Sequence, residues 1–323
     1  MQSINWFTDK VLQGEQITKS EALYLYEQPL DKLCQSADRI RRHFCSNRFD
    51  ICTIINGKSG RCSENCKFCA QSAHHHTGVT EYALLSQQEI VAQAQKNHEQ
   101  GVLRYSIVTS GERLSGQEVD EMCRVVASIK QKVGISVCVS FGLLEEQQFR
   151  KLKEAGVTRV HNNLETSRRY FPQICTTHTF DDKVRAIRAA QAAGLSVCSG
   201  GIMGLGETIQ DRIDMAMSLR DLGIKSVPIN MLNPIPGTPF AHNPKLSQTD
   251  MQRIVAIYRF VLPDASIRLA GGRGLLADKG KSCFLSGANA AISGDMLTTS
   301  GITTQTDIKL LNELGFEVKL CNE

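Results

Sequence analysis

Leu103-Arg104-Tyr105-Ser106-Ile107-Val108-Thr109 is followed by an amphipathic stretch over residues 117–132 and then by Ile135-Ser136-Val137-Cys138-Val139-Ser140. The two outer runs are short and β-rich, as strands are, while the stretch between them repeats its apolar residues every three or four positions, as a helix does. The same alternation extends in both directions. Further strand-like runs occupy residues 51–56, 158–164, 196–203, 226–232 and 266–270, with a weaker one at 288–292. Helical patterns cover 88–100, 145–155, 182–193, 209–222, 249–261 and 305–314. Gly101, Gly156, Gly194, Gly223 and Gly315 end several of these helices, where a C-cap needs a left-handed residue. Eight βα units predict an α/β protein of the (β/α)8 TIM-type barrel class, which takes about 250 residues and carries its site at the C-terminal ends of the strands. A doubly wound open sheet uses the same alternation, and periodicity does not separate the two.

Residues 1–48 read differently. Thr18-Lys19-Ser20-Glu21 has the form of a capping box, and apolar residues three or four apart continue to Ile40. The expected organisation is an N-terminal helical cap over 1–48, a barrel over 49–318 and a short tail over 319–323. The 323 residues carry a net charge of +4, too slight an excess for a nucleic-acid or anionic-membrane surface. No run approaches the ~20 apolar residues of a membrane helix, and the first ten residues have no apolar leader core. The expectation is a cytoplasmic protein with no nucleic-acid or membrane partner. Yet it carries 12 Cys, in a compartment where thiols serve metals or catalysis more than disulfides.

Three of them stand in Gly60-Arg61-Cys62-Ser63-Glu64-Asn65-Cys66-Lys67-Phe68-Cys69. Thiolates at C-x3-C-x2-C suit a loop wrapped around one iron–sulfur cluster. Structural zinc normally takes a fourth ligand, which His74, His75 or His76 would have to supply. A triplet without a fourth Cys leaves one iron open to a small molecule. Gly200, Gly201, Gly204 and Gly206 have the look of a phosphate loop, but no Gly-Lys-Ser/Thr follows them.

The cysteine loop, with Phe68 before its last Cys, resembles the signature of the radical S-adenosylmethionine (SAM) enzymes. Beyond it, Ala70-Gln71-Ser72, Asn163-Leu164-Glu165-Thr166-Ser167, the segment Val197-Cys198-Ser199-Gly200-Gly201-Ile202-Met203-Gly204-Leu205-Gly206-Glu207-Thr208, Ser226-Val227-Pro228-Ile229-Asn230-Met231-Leu232 and Ile267-Arg268-Leu269 resemble the biotin synthase family within that superfamily. The resemblance implies a sulfurtransferase that inserts sulfur between C6 and C9 of dethiobiotin. SAM, bound to the open iron of a [4Fe–4S] cluster, is cleaved to a radical that takes hydrogen from unactivated carbon, and an auxiliary iron–sulfur cluster supplies the sulfur. It also implies a flavodoxin or ferredoxin reductant, iron–sulfur assembly proteins as partners, and a homodimer.

Position by position, the resemblance gives Cys62, Cys66 and Cys69 to the [4Fe–4S] cluster. Phe68, Asn163, Glu165 and Ile202 fall at SAM-contacting positions, with Glu165 in place of the usual Asp, on the ribose hydroxyls. Lys183 falls where an Arg often meets the SAM carboxylate. Asn163 and Asn230 fall on the substrate side, and an amide with both donor and acceptor suits a ureido ring. His161-Asn162 reverses the usual order before Asn163.

The pattern breaks at the auxiliary cluster. Cys138, Cys198 and Arg268 match three of the usual four ligands of a [2Fe–2S] cluster, but Ser106 stands at the position of the remaining Cys. A decayed paralogue is one explanation. Another is Cys52, where the family usually has Ser. Cys52, Cys138, Cys198 and Arg268 fall on the first, third, fifth and seventh predicted strands, and alternate strands of such a barrel put inward side chains in a common layer. Cys52 therefore reads as the replacement ligand. Three thiolates favour a four-iron cluster bearing an extra sulfide over a [2Fe–2S] cluster, with Arg268 offsetting charge or serving as a ligand. Cys34, Cys45, Cys123, Cys175, Cys283 and Cys321 show no ligand spacing and read as core residues, Cys283 being the nearest of them to the last strand.

Two other functions compete. One is a related radical SAM enzyme of metallocofactor assembly or amino-acid rearrangement, against which Asn230 and the Cys138/Cys198/Arg268 set argue. The other is a non-enzymatic iron–sulfur redox sensor, but ordinary electron carriers close each cluster with four ligands.

Overall fold

The computed structural model describes residues 2–321. Eight staves close into a parallel barrel. They are β1 (Arg48–Lys58), β2 (Arg104–Thr109), β3 (Ser136–Ser140), β4 (Arg159–His161), a fifth stave broken into β5 (Ser196–Cys198) and β6 (Gly201–Met203), then β7 (Ser226–Met231), β8 (Ser266–Leu269) and β9 (Ala290–Ile292). Closure is the pairing of β1 with β9, Asp50 to Ala290 through Cys52 to Ile292. That pairing excludes the open sheet, since a doubly wound sheet keeps two free edges.

Ser and Thr set where the outer helices begin. Ser86, Ser115, Thr179, Thr208 and Ser247 each form a reciprocal capping box with the acidic residue three positions on, opening α4 (Gln87–Glu99), α5 (Gly116–Lys132), α8 (Phe180–Ala192), α9 (Ile209–Asp221) and α10 (Gln248–Val261). Such a cap is worth about 0.5–2 kcal/mol. The other barrel helices are α6 (Glu146–Glu154), the short α7 (Phe171–Ile174) and α11 (Lys281–Phe284), and α12 (Thr304–Glu313). Their apolar faces and the outward residues of the staves, among them Tyr105, Val137 and Ile267, form one buried core.

Three helices precede the barrel: α1 (Ile4–Leu12), α2 (Lys19–Tyr26) and α3 (Leu30–Cys45). α2 and α3 pack on α9 and α10 at the flank and α1 packs on α3; Arg253 Nη1 donates to the carbonyl of Gln28 at 2.7 Å. At the N-terminal end of the staves, β10 (Glu317–Val318) adds to the start of β1. The chain then passes beneath the barrel, where the Cys321 amide donates to Asp50 Oδ2 at 3.3 Å.

Two departures from the sequence pattern matter for the site. The run 196–203 is interrupted at Ser199 and Gly200. A Cβ on Gly200 would lie 1.9 Å from the Pro228 carbonyl oxygen and one on Gly201 2.3 Å from that of Glu165, so these glycines let neighbouring backbone reach the break. The run 158–164 stays a strand only to His161; beyond it the Asn162 and Glu165 amides donate to the Cys198 and Gly200 carbonyls beside that break.

Candidate active site

One cavity of about 400 Å³ runs from the barrel lumen into the loops that follow the strands. Cys62, Cys66, Phe68 and Cys69 line its outer part; Asn163, Glu165, Lys183, Ile202 and Asn230 line its wall; Cys52, Cys138, Cys198 and Arg268 lie at its floor. These thirteen candidate ligand and binding residues therefore face one space.

The cysteine loop leaves β1 and is fastened to itself and to the wall. The Cys62 amide donates to the Gln71 carbonyl at 3.0 Å, the Cys69 amide to that of Cys66 at 3.0 Å, and the Lys67 amide to that of Ile174 at 2.9 Å. The Gln71 side-chain oxygen accepts from the Gly60 amide at 3.2 Å. Cys62, Cys66 and Cys69 are not gathered closely enough to hold one metal ion among them, as ligands spread around a polynuclear cluster are not. His74 Nε2 lies 3.0 Å from the Ser63 carbonyl and His75 Nε2 3.1 Å from that of Cys66. Those two rings serve the loop's backbone. This donor set fits a cluster with an open coordination position better than a closed zinc site.

On the wall, Asn163 Oδ1 accepts from the Gly200 amide at 3.1 Å and Asn163 Nδ2 donates to Glu165 Oε2 at 3.3 Å. Glu165 has φ +67°, unusual for a residue with a Cβ. Its amide donates to the Gly200 carbonyl at 3.0 Å and its own carbonyl accepts from the Ile202 amide at 2.9 Å. These two bonds hold the turn in place, the over-determination that such backbone requires. Burial pushes the Glu165 carboxyl up, against the pull of Lys183 and His161. Asn230 Nδ2 donates to the Gly201 carbonyl at 3.1 Å and its Oδ1 accepts from the Gly271 amide at 2.9 Å. One amide hydrogen and one lone pair of Asn230 remain for a ligand.

The floor is built by strand register. Lumen-facing positions alternate, so Cys52 stands opposite Arg104, Ser106 opposite Cys138, and Cys198 opposite His161 and Ser226. All three thiols are buried. Burial raises the Cys52 thiol, and raises that of Cys138 to about 12 against a hydrogen bond with Ser106. Burial also works on Cys198, but a hydrogen bond with His161 and the charges of His161, Arg268 and Arg159 bring it down to about 6. Arg268 Nη1 lies 3.2 Å from Cys52 Sγ and also donates to the carbonyls of Asp50 at 3.1 Å and Ala291 at 3.0 Å. Burial alone would raise the Asp50 carboxyl, but Arg268, Arg104 and Arg159 hold it below the usual carboxylate range.

Three features in or around the cavity are not evident in the sequence. Leu297, Thr298 and Thr299 line it from the loop after β9. Asp50, Arg104 and Arg159 underlie the floor as a charged layer, signalled only by a strand run that carries acidic and basic residues. Cys175 is a core residue, as read, but its Sγ also lies 3.7 Å from Cys66 Sγ, a proximity that the Cys-x2-His spacing of Cys175 and His178 would have hinted at. Cys283 is wholly buried on α11 and is not part of the cavity lining.

Residues 58–219 match the Radical SAM superfamily and residues 228–317 the Biotin and Thiamin Synthesis associated domain. The biotin synthase of Brachyspira hyodysenteriae is 58% identical over 98% of this chain and 96% of its own length, and that of Akkermansia muciniphila 56% identical over 96% and 97%. Among solved structures, methylornithine synthase superposes with a TM-score of 0.83 at 20% identity, over 97% of each chain. The FeFe-hydrogenase maturase from Carboxydothermus hydrogenoformans gives 0.83 at 18% identity, over 99% of this chain and 80% of that one. At such identity the two structures support the fold alone, whereas the near full-length identity to the two synthases makes this chain a member of the biotin synthase family of radical SAM enzymes.

Proposed function

We propose that the chain makes biotin from dethiobiotin in this cavity, with Cys62, Cys66 and Cys69 holding a [4Fe–4S] cluster at its outer part and Cys52, Cys138 and Cys198 holding an auxiliary iron–sulfur cluster at its floor. The observation that carries the reading is that the cysteine loop and the three lumen thiols open onto the same cavity. When bound, the clusters and SAM supply radical hydrogen abstraction from unactivated carbon and the sulfur that replaces the hydrogen.

The chain's own residues bind, orient and exclude water. Lys183 offers a positive charge to the SAM carboxylate, as a point charge without the fork of an Arg. Glu165 takes the ribose hydroxyls, Phe68 and Ile202 flank the adenine, and Asn163 links the Glu165 turn to the substrate side. Asn230 presents its free hydrogen and lone pair to the ureido ring. The barrel wall keeps solvent from a reactive intermediate, the protein's share of the work in a cofactor enzyme.

At the floor, the reading gives the ligand role to the three thiols and makes Arg268 their charge partner. Arg268 is ion-paired with Asp50 through Nη2 and donates to two backbone carbonyls through Nη1, which supports a positioning role over a bond to iron. Three thiolates leave one iron of a four-iron cluster for an external sulfide, the form favoured here over a [2Fe–2S] cluster. A flavodoxin or ferredoxin as electron donor, loading by iron–sulfur assembly proteins, a homodimer and a cytoplasmic location follow from the family reading; no helix among the described residues is long and apolar enough to cross a membrane.

The test is anaerobic reconstitution with iron and sulfide, followed by dethiobiotin, SAM and a low-potential reductant. Biotin is the expected product. Formation of 5′-deoxyadenosine without a sulfur-containing product would show that the substrate is another molecule.

A further inference from the structure

Cys175 Sγ lies 3.7 Å from Cys66 Sγ, 3.4 Å from His178 Nδ1 and 3.9 Å from His178 Nε2. Among the described residues, Cys66, Cys175 and His178 are the one group of His, Cys, Asp or Glu side chains whose ligand atoms all come within 4.8 Å of one another. A tetrahedral zinc ion with Zn–S of about 2.3 Å and Zn–N of about 2.0–2.1 Å sets its sulfurs about 3.8 Å apart and sulfur from nitrogen about 3.5 Å. The Cys66–Cys175 separation already meets that; His178 Nε2, the ring nitrogen not held by Glu64, lies 3.9 Å from Cys175 Sγ and has to close by a few tenths of an ångström.

A second arrangement points the same way. Glu64 Oε2 lies 2.5 Å from His178 Nδ1 and accepts from Thr177 Oγ1 at 2.6 Å. Asn65 Oδ1 accepts from the Thr176 amide at 2.9 Å. The two segments that carry the donors are thus already fastened together. A carboxylate on one ring nitrogen fixes the tautomer and orientation of a metal-binding His and leaves the other nitrogen for the ion. Cys175 and His178 are both buried, so their donor atoms are held away from bulk water.

We propose that, in the chain without its [4Fe–4S] cluster, Cys66, Cys175 and His178 form a mononuclear site for a divalent ion of the zinc or ferrous type, with His178 oriented by Glu64. Water completes the tetrahedron. On binding, each thiol releases its proton to solvent, and no electron is transferred. Because Cys66 is shared, the single ion and the cluster exclude each other; this clause rests on the reading of Cys66 as a cluster ligand, whereas ion binding itself does not. Zinc binds more tightly than ferrous iron at such a site, so the site acts as a gate between mismetallation and cluster loading.

The experiment uses the full-length chain, stripped of iron and kept reduced, titrated with Co2+ and then with Zn2+ or Fe2+ in competition. One Co2+ per chain is expected, with the absorption of a tetrahedral two-thiolate site, displaced stoichiometrically by Zn2+ and only at higher concentration by Fe2+. Cys175→Ser and His178→Ala each remove the signal, and Glu64→Gln weakens binding by about 10- to 100-fold. The double variant Cys62→Ser/Cys69→Ser keeps the site at wild-type affinity. Circular dichroism of each metal-free variant separates loss of a ligand from loss of the fold. Wild-type affinity in both Cys175→Ser and His178→Ala, or loss of binding in a folded Cys62→Ser/Cys69→Ser, overturns the site. If the site behaves as expected but one equivalent of Zn2+ does not slow [4Fe–4S] reconstitution of the wild type, the reading of Cys66 as a cluster ligand is what fails.

Discussion

Asp50 Oδ1 and Arg268 Nη2 lie 3.0 Å apart beneath the barrel floor, with both side chains closed to water. Taking one charge out of such a pair leaves the other buried without it, at a cost of about 3–5 kcal/mol. Asp50→Asn keeps the shape and removes the charge. It is expected to lower the unfolding free energy by about that amount and to release Arg268 from the floor, so that auxiliary-cluster iron is lost with it. Urea unfolding of the cluster-free chain gives the first number and iron analysis the second. Unchanged stability would mean that Arg268 finds its main support in the Asp50 and Ala291 carbonyls.

Cys52 stands opposite Arg104, whereas Ser106 stands opposite Ile54, one inward position further along the staves. Exchanging the ligand moves it by two residues, about 6.6 Å along the strand direction. Cys52→Ser should therefore abolish the auxiliary cluster and leave the one in the Cys62 loop, reducing iron and sulfide and removing one Mössbauer component. Adding Ser106→Cys to Cys52→Ser should bring a second cluster back as the [2Fe–2S] type. Unaltered iron content in Cys52→Ser would sink the proposal for Cys52.

Much of this was legible in the sequence because barrel staves repeat with period two. Once the runs were placed, Cys52, Cys138, Cys198 and Arg268 had to share a side. Closure was not legible, because it depends on β1 meeting β9, a pairing that leaves no local signal. The sequence predicts longer strands for the three-residue β4 and the broken fifth stave, since apolar runs continue past His161 and across Ser199 and Gly200. The φ of Glu165 is equally hidden, being imposed by bonds to Gly200 and Ile202 of the neighbouring fifth stave. Cys175 is a core residue, as its lack of ligand spacing suggests, but its nearness to Cys66 is hidden for a related reason: the two are 109 residues apart, and only the docking of residues 175–178 on the cysteine loop brings them together.

Glu165 sets stability against binding. Its carboxyl is raised by burial, so at neutral pH its ionised form costs the folded state free energy, a cost relieved as pH falls through the raised value. Glu165→Gln removes that cost and should leave the cluster-free chain as stable as the wild type or more so. It also removes the charged acceptor for the ribose hydroxyls, worth about 1.5–3 kcal/mol, so SAM affinity should fall by about 10- to 100-fold. Equilibrium binding of SAM to the reconstituted enzyme measures this. A variant that binds SAM normally would take Glu165 out of the binding site.

Asp211 ties the turn after Glu165 to the start of α9. Its carboxylate is fully buried and accepts from Ser167 Oγ at 2.6 Å, Arg169 Nε at 3.0 Å, and the Thr208 amide and hydroxyl at 2.9 and 2.7 Å. Burial would raise this carboxyl, but the bonds from Arg169, Ser167 and Thr208 hold it well below the usual carboxylate range. A depressed folded value means stability that is present above the unfolded pKa, about 3.9, and is lost as pH falls through the folded one. Asp211→Asn should therefore destabilise the cluster-free chain by about 2 kcal/mol at pH 7, combining a lost cap with a lost charge-assisted bond. The gap between variant and wild type should stay constant down to about pH 5 and narrow only below about pH 4. Urea unfolding of both chains across that range reads the gap directly. A gap that closes already near pH 6 would assign the effect to a histidine instead, because only a group titrating there could produce it.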